Sequence, residues 1–344
     1  MSVRILVVLV LTMALASPAA SFDAADELSV PAQQAAKRAV AGLAGSQRAD
    51  GAWPGSWGGT TGIVAVCALA LMAHGHLPGE GEFGQQTARA LQFIVKSSQP
   101  DGLLFRRGMP GAPMYHHGLA TLALAEGWGE GNDKDLRDAL KRACDLIVAT
   151  QNTQGGWRYE PKISDADLSV TVFQLMALRA AKDAGIAVPK ETIEAAIGYV
   201  RACHNPTAKG KDGGFAYTPG SESGWARTGA GLTSLQVAGL YRTPEISDGV
   251  AYLSRFQPIG TEDPKAKEHW YYGAYYTTMG LYQAQALGQG GQNAWRTFYP
   301  AMVNTLLSRM DKGGFWAGGW DQYPTAMSLL IFGVTNRYLP IYQR

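Results

Sequence analysis

The chain has 344 residues, 30 basic and 28 acidic, for a net charge of +2, and only 17% of its residues are charged. That balance, with no polybasic cluster, excludes the electrostatic footprint of a nucleic-acid binder. Three widely spaced cysteines, Cys67, Cys144 and Cys203, exclude a disulfide framework, and each falls within an apolar helical pattern as a small core residue would.

At the amino terminus Arg4 precedes an apolar run from Ile5 to Ala16, followed by small residues at Ala19, Ala20 and Ser21. This layout predicts an export signal cleaved near Ser21, and so a periplasmic or secreted protein. The run is too short to span a bilayer, which takes about 20 residues. Residues 1–21 therefore read as a signal peptide and residues 22–344 as one domain, with no stable membrane span after cleavage.

The 42 glycines exceed the usual share of ~7% and are not scattered. Gln47 to Trp53 reads QxxxGxW, and so does Gln151 to Trp157. Gln99-Pro-Asp-Gly102 is a degenerate copy midway, 52 residues from each. Echoes follow at Asp212 to Phe215 and Lys312 to Phe315, and a sixth, without glycine, centres on His269-Trp270-Tyr271-Tyr272. Such a fixed period marks a repeat architecture.

A helix is predicted on each side of every motif. The preceding ones are striped: Leu136, Ala139, Leu140, Ala143, Cys144, Ile147 and Val148 follow helical spacing, with charged residues on the other face. Ile193 to Cys203 and Tyr299 to Met310 repeat the stripe. The following ones are apolar all round: Ile63 to Ala73, Leu119 to Ala125 and Val170 to Ala181. A helix apolar on every side must be buried on every side. Six pairs of one striped and one apolar helix satisfy this by closing into a ring, with glycine turns at positive φ. The expected fold is all-α, a single α/α toroid of six helical hairpins; an open superhelix of helix pairs is the alternative.

The QxxxGxW motif resembles the repeat of terpenoid cyclases and protein prenyltransferase β subunits. Gln47-Arg-Ala-Asp-Gly-Ala-Trp53-Pro-Gly-Ser-Trp57-Gly is very similar to a squalene–hopene cyclase repeat, and the resemblance runs over about residues 31–335. The chain also looks like exported bacterial proteins named after the prenyltransferase and squalene oxidase repeat. The resemblance implies that Gln47, Trp53, Gln151 and Trp157 are structural, the Gln capping a helix end while the Trp packs over it.

Squalene–hopene cyclases protonate an alkene with an Asp in a DxDDT motif at the start of an inner helix. The nearest segment is Asp165-Ala-Asp167-Leu-Ser169-Val-Thr171. Aligned without a gap, Ser169 takes the place of the protonating Asp; shifted by two, Leu168 takes the place of the third acid. Either way the acid cluster is incomplete, and Asp167 reads equally as an N-cap. No metal site and no cofactor is expected: Cys203-His204 and His74/His76 have poor ligand spacing.

Aligning the inner helices stacks the residues at their starts into a rim. Asp167 and His117 are its candidate catalytic groups. Its candidate ligand-binding groups are His116, Ser169, Thr171, Trp225, Arg227, Tyr275, Tyr276, Trp320, Asp321 and Tyr323. Mixed aromatic and polar walls suit ligand sites. The expected function is to bind a small apolar ligand, isoprenoid or lipid-like, in the central cavity. A divergent terpene cyclase and an exported polysaccharide-active enzyme, using Asp167, Asp321, Glu222 and Arg227, are the alternatives.

Overall fold

The computed structural model describes residues 27–128, 133–256, 269–318 and 320–343. The expected export signal at 1–21 lies outside the described residues. Within them lie twelve α-helices of two kinds. The odd-numbered helices are α1 (Val30–Gly45), α3 (Gly84–Lys96), α5 (Lys134–Ala149), α7 (Lys190–Ala202), α9 (Pro244–Leu253) and α11 (Gln289–Arg309). The even-numbered ones are α2 (Thr61–Met72), α4 (Pro113–Trp128), α6 (Leu168–Asp183), α8 (Trp225–Val237), α10 (Trp270–Ala284) and α12 (Tyr323–Gly333).

Burial follows the sequence pattern. Every residue of α2 is buried, whereas α5 buries Leu136, Ala139, Leu140, Ala143, Cys144 and Ile147 and leaves its other face to solvent. The even helices pack side by side in chain order, and α12 returns to pack against α2. The odd helices lie outside, each against neighbouring even ones. The protein is thus an α/α toroid: an inner ring apolar on all sides, sheathed by amphipathic helices whose polar faces meet water. No helix among the described residues is long and apolar enough to cross a membrane. Cys67, Cys144 and Cys203 are buried free thiols.

The motif builds the turns. Gly51, Gly102 and Gly155 hold φ of +90°, +92° and +92°, and a Cβ there would lie 2.3, 2.5 and 2.1 Å from a backbone carbonyl of the next outer helix, at Arg89, Arg142 and Ala195. Only glycine satisfies both demands. Each motif Trp reaches back ten residues: Trp53 Nε1 donates to Leu43 O (2.8 Å), Trp157 Nε1 to Ile147 O (2.7 Å) and Trp316 Nε1 to Leu306 O (2.8 Å). These carbonyls lie in the last turns of outer helices, where intrahelical donors run out. The Gln side chains act elsewhere. Gln47 Nε2 donates to Gly51 O (3.1 Å) and Gln86 O (2.9 Å); Gln151 Nε2 donates to Gly155 O (2.8 Å) and Thr192 O (2.9 Å). The expected division of labour is therefore reversed. The Trp caps the helix end, because its N–H is carried on a rigid ring beneath it, and the Gln bridges its own turn to the next outer helix.

The sixth motif copy departs most. His269 precedes α10, and Trp270, Tyr271 and Tyr272 form its first turn rather than a loop. Without glycine the segment simply continues helical. The ring is tied where it closes: Asp321 Oδ2 accepts from Trp57 N (2.5 Å) and Gly58 N (3.1 Å), joining the last turn to the first. At the opposite end Asn336 Nδ2 donates to Ala73 O (3.1 Å), and the His74 ring meets Leu329 O (2.9 Å).

Candidate functional site

The amino-terminal ends of the inner helices surround a cavity of about 640 Å³. Its wall is mainly aromatic: Trp57, Tyr115, Tyr159, Phe173, Tyr217, Trp225, Tyr272, Trp320 and Tyr323. The rings touch in series. Tyr115 meets Phe173 edge-on (5.6 Å between centroids), Phe173 meets Tyr272 (6.0 Å), and Trp320 joins Trp57 (6.0 Å) to Tyr323 (5.2 Å). His116, Ser169, Arg227 and His269 supply the polar groups, and no described wall residue is a carboxylate.

Six of the residues expected at the rim line this cavity: His116, Ser169, Trp225, Arg227, Trp320 and Tyr323. The others do not. His117 is buried away from it, its Nδ1 accepting from Leu104 N (3.0 Å) and its Nε2 meeting Ala143 O of α5 (3.1 Å). The cause is the start of α4 at Pro113, which puts both histidines inside the helix, where adjacent side chains diverge by about 100°. Burial pushes the His117 imidazole down to about 4, so it is neutral near pH 7 and fixed between α4 and the outer layer. His117 therefore stands outside the cavity wall, with both ring nitrogens engaged by backbone groups.

Thr171 is occupied too. Its Oγ1 accepts from Trp157 N (3.2 Å), as Thr228 accepts from Phe215 N (2.9 Å) and Thr325 from Trp316 N (3.1 Å). In these three copies the threonine pins the motif aromatic to the inner helix that follows. Asp321 is the ring clasp described above. Tyr275 and Tyr276 lie one turn deeper on α10, the first with its hydroxyl 3.4 Å from that of Tyr342, the second packed on Tyr272 (4.6 Å) and Phe173 (5.7 Å). They back the wall without lining it.

Asp167 is the N-cap of α6. Its Oδ1 accepts from Val170 N (2.9 Å) and Ser169 Oγ (2.6 Å), and its Oδ2 lies 3.3 Å from Arg158 Nε. Ser169 in turn is 2.6 Å from the Tyr115 hydroxyl. Since Ser169 donates to the carboxylate, Tyr115 donates to Ser169. The buried carboxylate is thus joined to the cavity wall by two hydroxyls. Burial raises the Asp167 pKa above its ordinary value, against the pull of hydrogen bonds and the Arg158 charge. His116 is closed off as a base: Nδ1 accepts from Gly62 N (3.1 Å), Nε2 meets the Pro110 carbonyl, and burial pushes the ring down to about 4.

Two donors are left without full partners. Arg227 donates through Nη2 to Ser223 O (3.0 Å) and Glu222 O (3.3 Å), while its buried Nε has no hydrogen-bond partner among the described residues. The Tyr272 hydroxyl, one helix over, is likewise buried and unpartnered there. The rim expected from the sequence leaves out Tyr159 and Tyr217. Tyr159 and Tyr217 each stand two residues after a motif aromatic, Trp157 and Phe215, and their hydroxyls bond to each other. That shared offset was the available signal. Tyr272 stands one helical turn before Tyr276, towards the amino-terminal mouth.

No protein-family model matches the chain. A curated relative, drimenyl diphosphate synthase of Streptomyces showdoensis, is 27% identical over 217 residues, which are 63% of this chain and 36% of that enzyme. Another drimenyl diphosphate synthase, from Streptantibioticus cattleyicolor, is 28% identical over 132 residues, 38% of this chain and 24% of the enzyme. The chain therefore spans well under half the length of the curated relatives it matches. Among solved structures, a variant of a type II terpene cyclase from Scytonema, bound to geranylgeranyl dihydroxybenzoate, superposes with a TM-score of 0.60 at 14% identity over 90% of this chain and 98% of that one. An α-1,6-mannanase of Salegentibacter superposes at 0.63 with 10% identity over 88% and 99%. The two structural likenesses share the fold alone, and this fold carries both kinds of chemistry. The chain thus shares the α/α-toroid fold of type II terpene cyclases and is similar in sequence, over part of their length, to drimenyl diphosphate synthases.

Proposed function

We propose that the protein takes an isoprenoid chain into its central cavity and holds it by its apolar length. The observation that carries this is the aromatic wall, which has no carboxylate among its described residues. Hydrolysis of a sugar polymer ordinarily needs two carboxyl groups flanking the bond. The aromatic rings offer instead a large apolar surface to a branched hydrocarbon. The unpartnered donors of Arg227 and Tyr272 suit a polar group at one end of such a chain. The curated relatives, named drimenyl diphosphate synthase, and the superposing type II terpene cyclase with its geranylgeranyl dihydroxybenzoate support the same ligand class.

Holding, rather than cyclising, is favoured by Asp167. Protonating an alkene takes a strong acid, whereas burial makes Asp167 a weaker acid than usual, and its oxygens cap α6 and face Arg158. A cyclase reading keeps one observation: Ser169, where the aligned motif has its acid, lines the cavity and is hydrogen-bonded to Asp167. One experiment addresses both. The purified protein is incubated with geranylgeraniol, squalene, palmitate and mannotetraose, then examined by native mass spectrometry and product extraction. Geranylgeraniol or squalene retained unchanged is expected. Leu119→Arg, which places a charge in the wall, weakens retention at least ~10-fold while the melting temperature shows a folded protein. Retention of the sugar alone, or of nothing, overturns the proposal. Cyclic products that vanish in Asp167→Asn replace holding by catalysis.

A further inference from the structure

Outside the ring, between α3 and the turn that follows it, lies a second concavity of about 540 Å³. It shares no wall residue with the central cavity. Four cations line it, Arg89, Lys96, Arg106 and Arg107, against a single carboxylate, Asp50. Asp50 is already paired with Arg48 (2.5 Å), and none of the four cations is in an ion pair among the described residues.

The arginines are held by neutral groups. Gln47 Oε1 accepts from Arg89 Nη2 (3.0 Å), and Gln99 Oε1 accepts from Arg107 Nε (3.0 Å). The Arg106 guanidinium lies over the Phe93 ring, 5.5 Å from its centroid. Arg89 keeps a buried Nε with no hydrogen-bond partner among the described residues. Like charges gathered without counter-charge repel one another, so their fixed positions cost stability.

The turn does not require the Arg89 side chain: the motif needs only a backbone carbonyl facing the turn glycine, which Arg142 provides in the second copy and Ala195 in the third. Two motif glutamines are used doubly here: the amide nitrogens of Gln47 and Gln99 serve their turns while their oxygens orient Arg89 and Arg107. Arg89 and Arg107 are thus held in place by glutamine oxygens and Arg106 by an aromatic ring, with no counter-charge on any of them among the described residues.

We propose that this groove binds a ligand through a phosphoryl group. Planar guanidinium groups pair with phosphate oxygens through parallel hydrogen bonds. Four cations against one neutralised acid match a group carrying two or more negative charges, which a carboxylate does not. Phosphoryl groups reach such a groove on a soluble molecule or on a lipid headgroup, and the test separates the two. Inorganic pyrophosphate is titrated calorimetrically into the full chain at low salt, and phosphatidylcholine vesicles with and without phosphatidic acid are tested by sedimentation. Saturable pyrophosphate binding is expected, at least ~10-fold weaker in the Arg106→Gln/Arg107→Gln double variant. Both substitutions lie at exposed positions and leave the melting temperature near that of the parent. The Lys182→Gln/Lys190→Gln double variant, on α6 and α7, is the charge-matched control and binds like the parent. Sedimentation with phosphatidic acid, competed by pyrophosphate, assigns the lipid source; pyrophosphate binding without sedimentation assigns a soluble one. No saturable binding of either probe, or a double variant that binds like the parent, overturns the proposal. Retention of an isoprenoid in the central cavity does not bear on this outcome.

Discussion

Individual side chains here take their chemistry from depth. His116 and His117 are neighbours in sequence, but one lines the cavity and the other is locked beneath it. Burial has a consequence for pH as well. His74, His116 and His117 are pushed down from 6.5 to about 4, so between those values the unfolded chain takes up protons that the native protein refuses. Stability therefore falls as the pH drops through that window. Glu126 on α4 is opposite. Buried, with Oε1 accepting only from Ile341 N (3.2 Å), it is pushed up from 4.5 to about 8. The native protein keeps its proton where the unfolded chain has lost it, so stability falls as the pH rises from 4.5 to about 8. Burial lowers His76 and His204 as well, so the histidines outweigh the glutamate below about 6.5, and above it Glu126 dominates. Calorimetry from pH 4.5 to 8.5 is expected to show maximal stability near 6.5 and a decline to about 8. Glu126→Gln, which keeps the acceptor without the charge, flattens the alkaline decline and leaves the acid one.

Turns and helices follow rules that recur from one copy of the motif to the next. The motif glycine has positive φ and a carbonyl against its face, whereas Gly185 has φ +81° and open space around it. The two separate conformation from contact. Gly155→Ala adds a clash with Ala195 O to the unfavourable φ and is expected to lower unfolding free energy by about 2–4 kcal/mol. Gly185→Ala suffers the φ alone, about 1 kcal/mol. Urea titration distinguishes them, and equal losses would show that the carbonyl contact is not what selects glycine. The inner and outer helices were legible in the sequence because burial on all sides and burial on one side leave different patterns. Helix starts were less legible. α4 begins at Pro113, before its apolar run, since Tyr115 and His116 face a cavity rather than a packed neighbour.

The whole molecule is a ring, and a ring has a seam. Asp321 receives two backbone N–H groups from the opposite end of the chain, at Trp57 and Gly58, across more than 260 residues. Asp321→Ala leaves those amides without their acceptor, at about 1–3 kcal/mol. Hydrogen exchange is expected to quicken at Trp57, Gly58 and the first turns of α2 and α12, while α6 and α7, across the ring, stay protected. Uniform quickening would mean that the seam is no weaker than the rest. The same clasp explains why Asp321 looked like a ligand group in the sequence: a lone acid among aromatics near a helix start signals a charged site, and here the charge meets the protein's own backbone.

The sequence by itself determined the repeat, the two classes of helix and the concentration of aromatic residues at the starts of the inner helices, since each is set by local spacing or by composition. Tertiary structure alone decided which rim residues face the cavity. That depends on where each helix begins and on which backbone groups need partners: Thr171 serves Trp157, Asp321 serves Trp57 and Gly58, and Asp167 serves Val170. Backbone donors claim nearby oxygens before any ligand does, because a buried N–H left unpaired costs more than a polar side chain gains at an open wall.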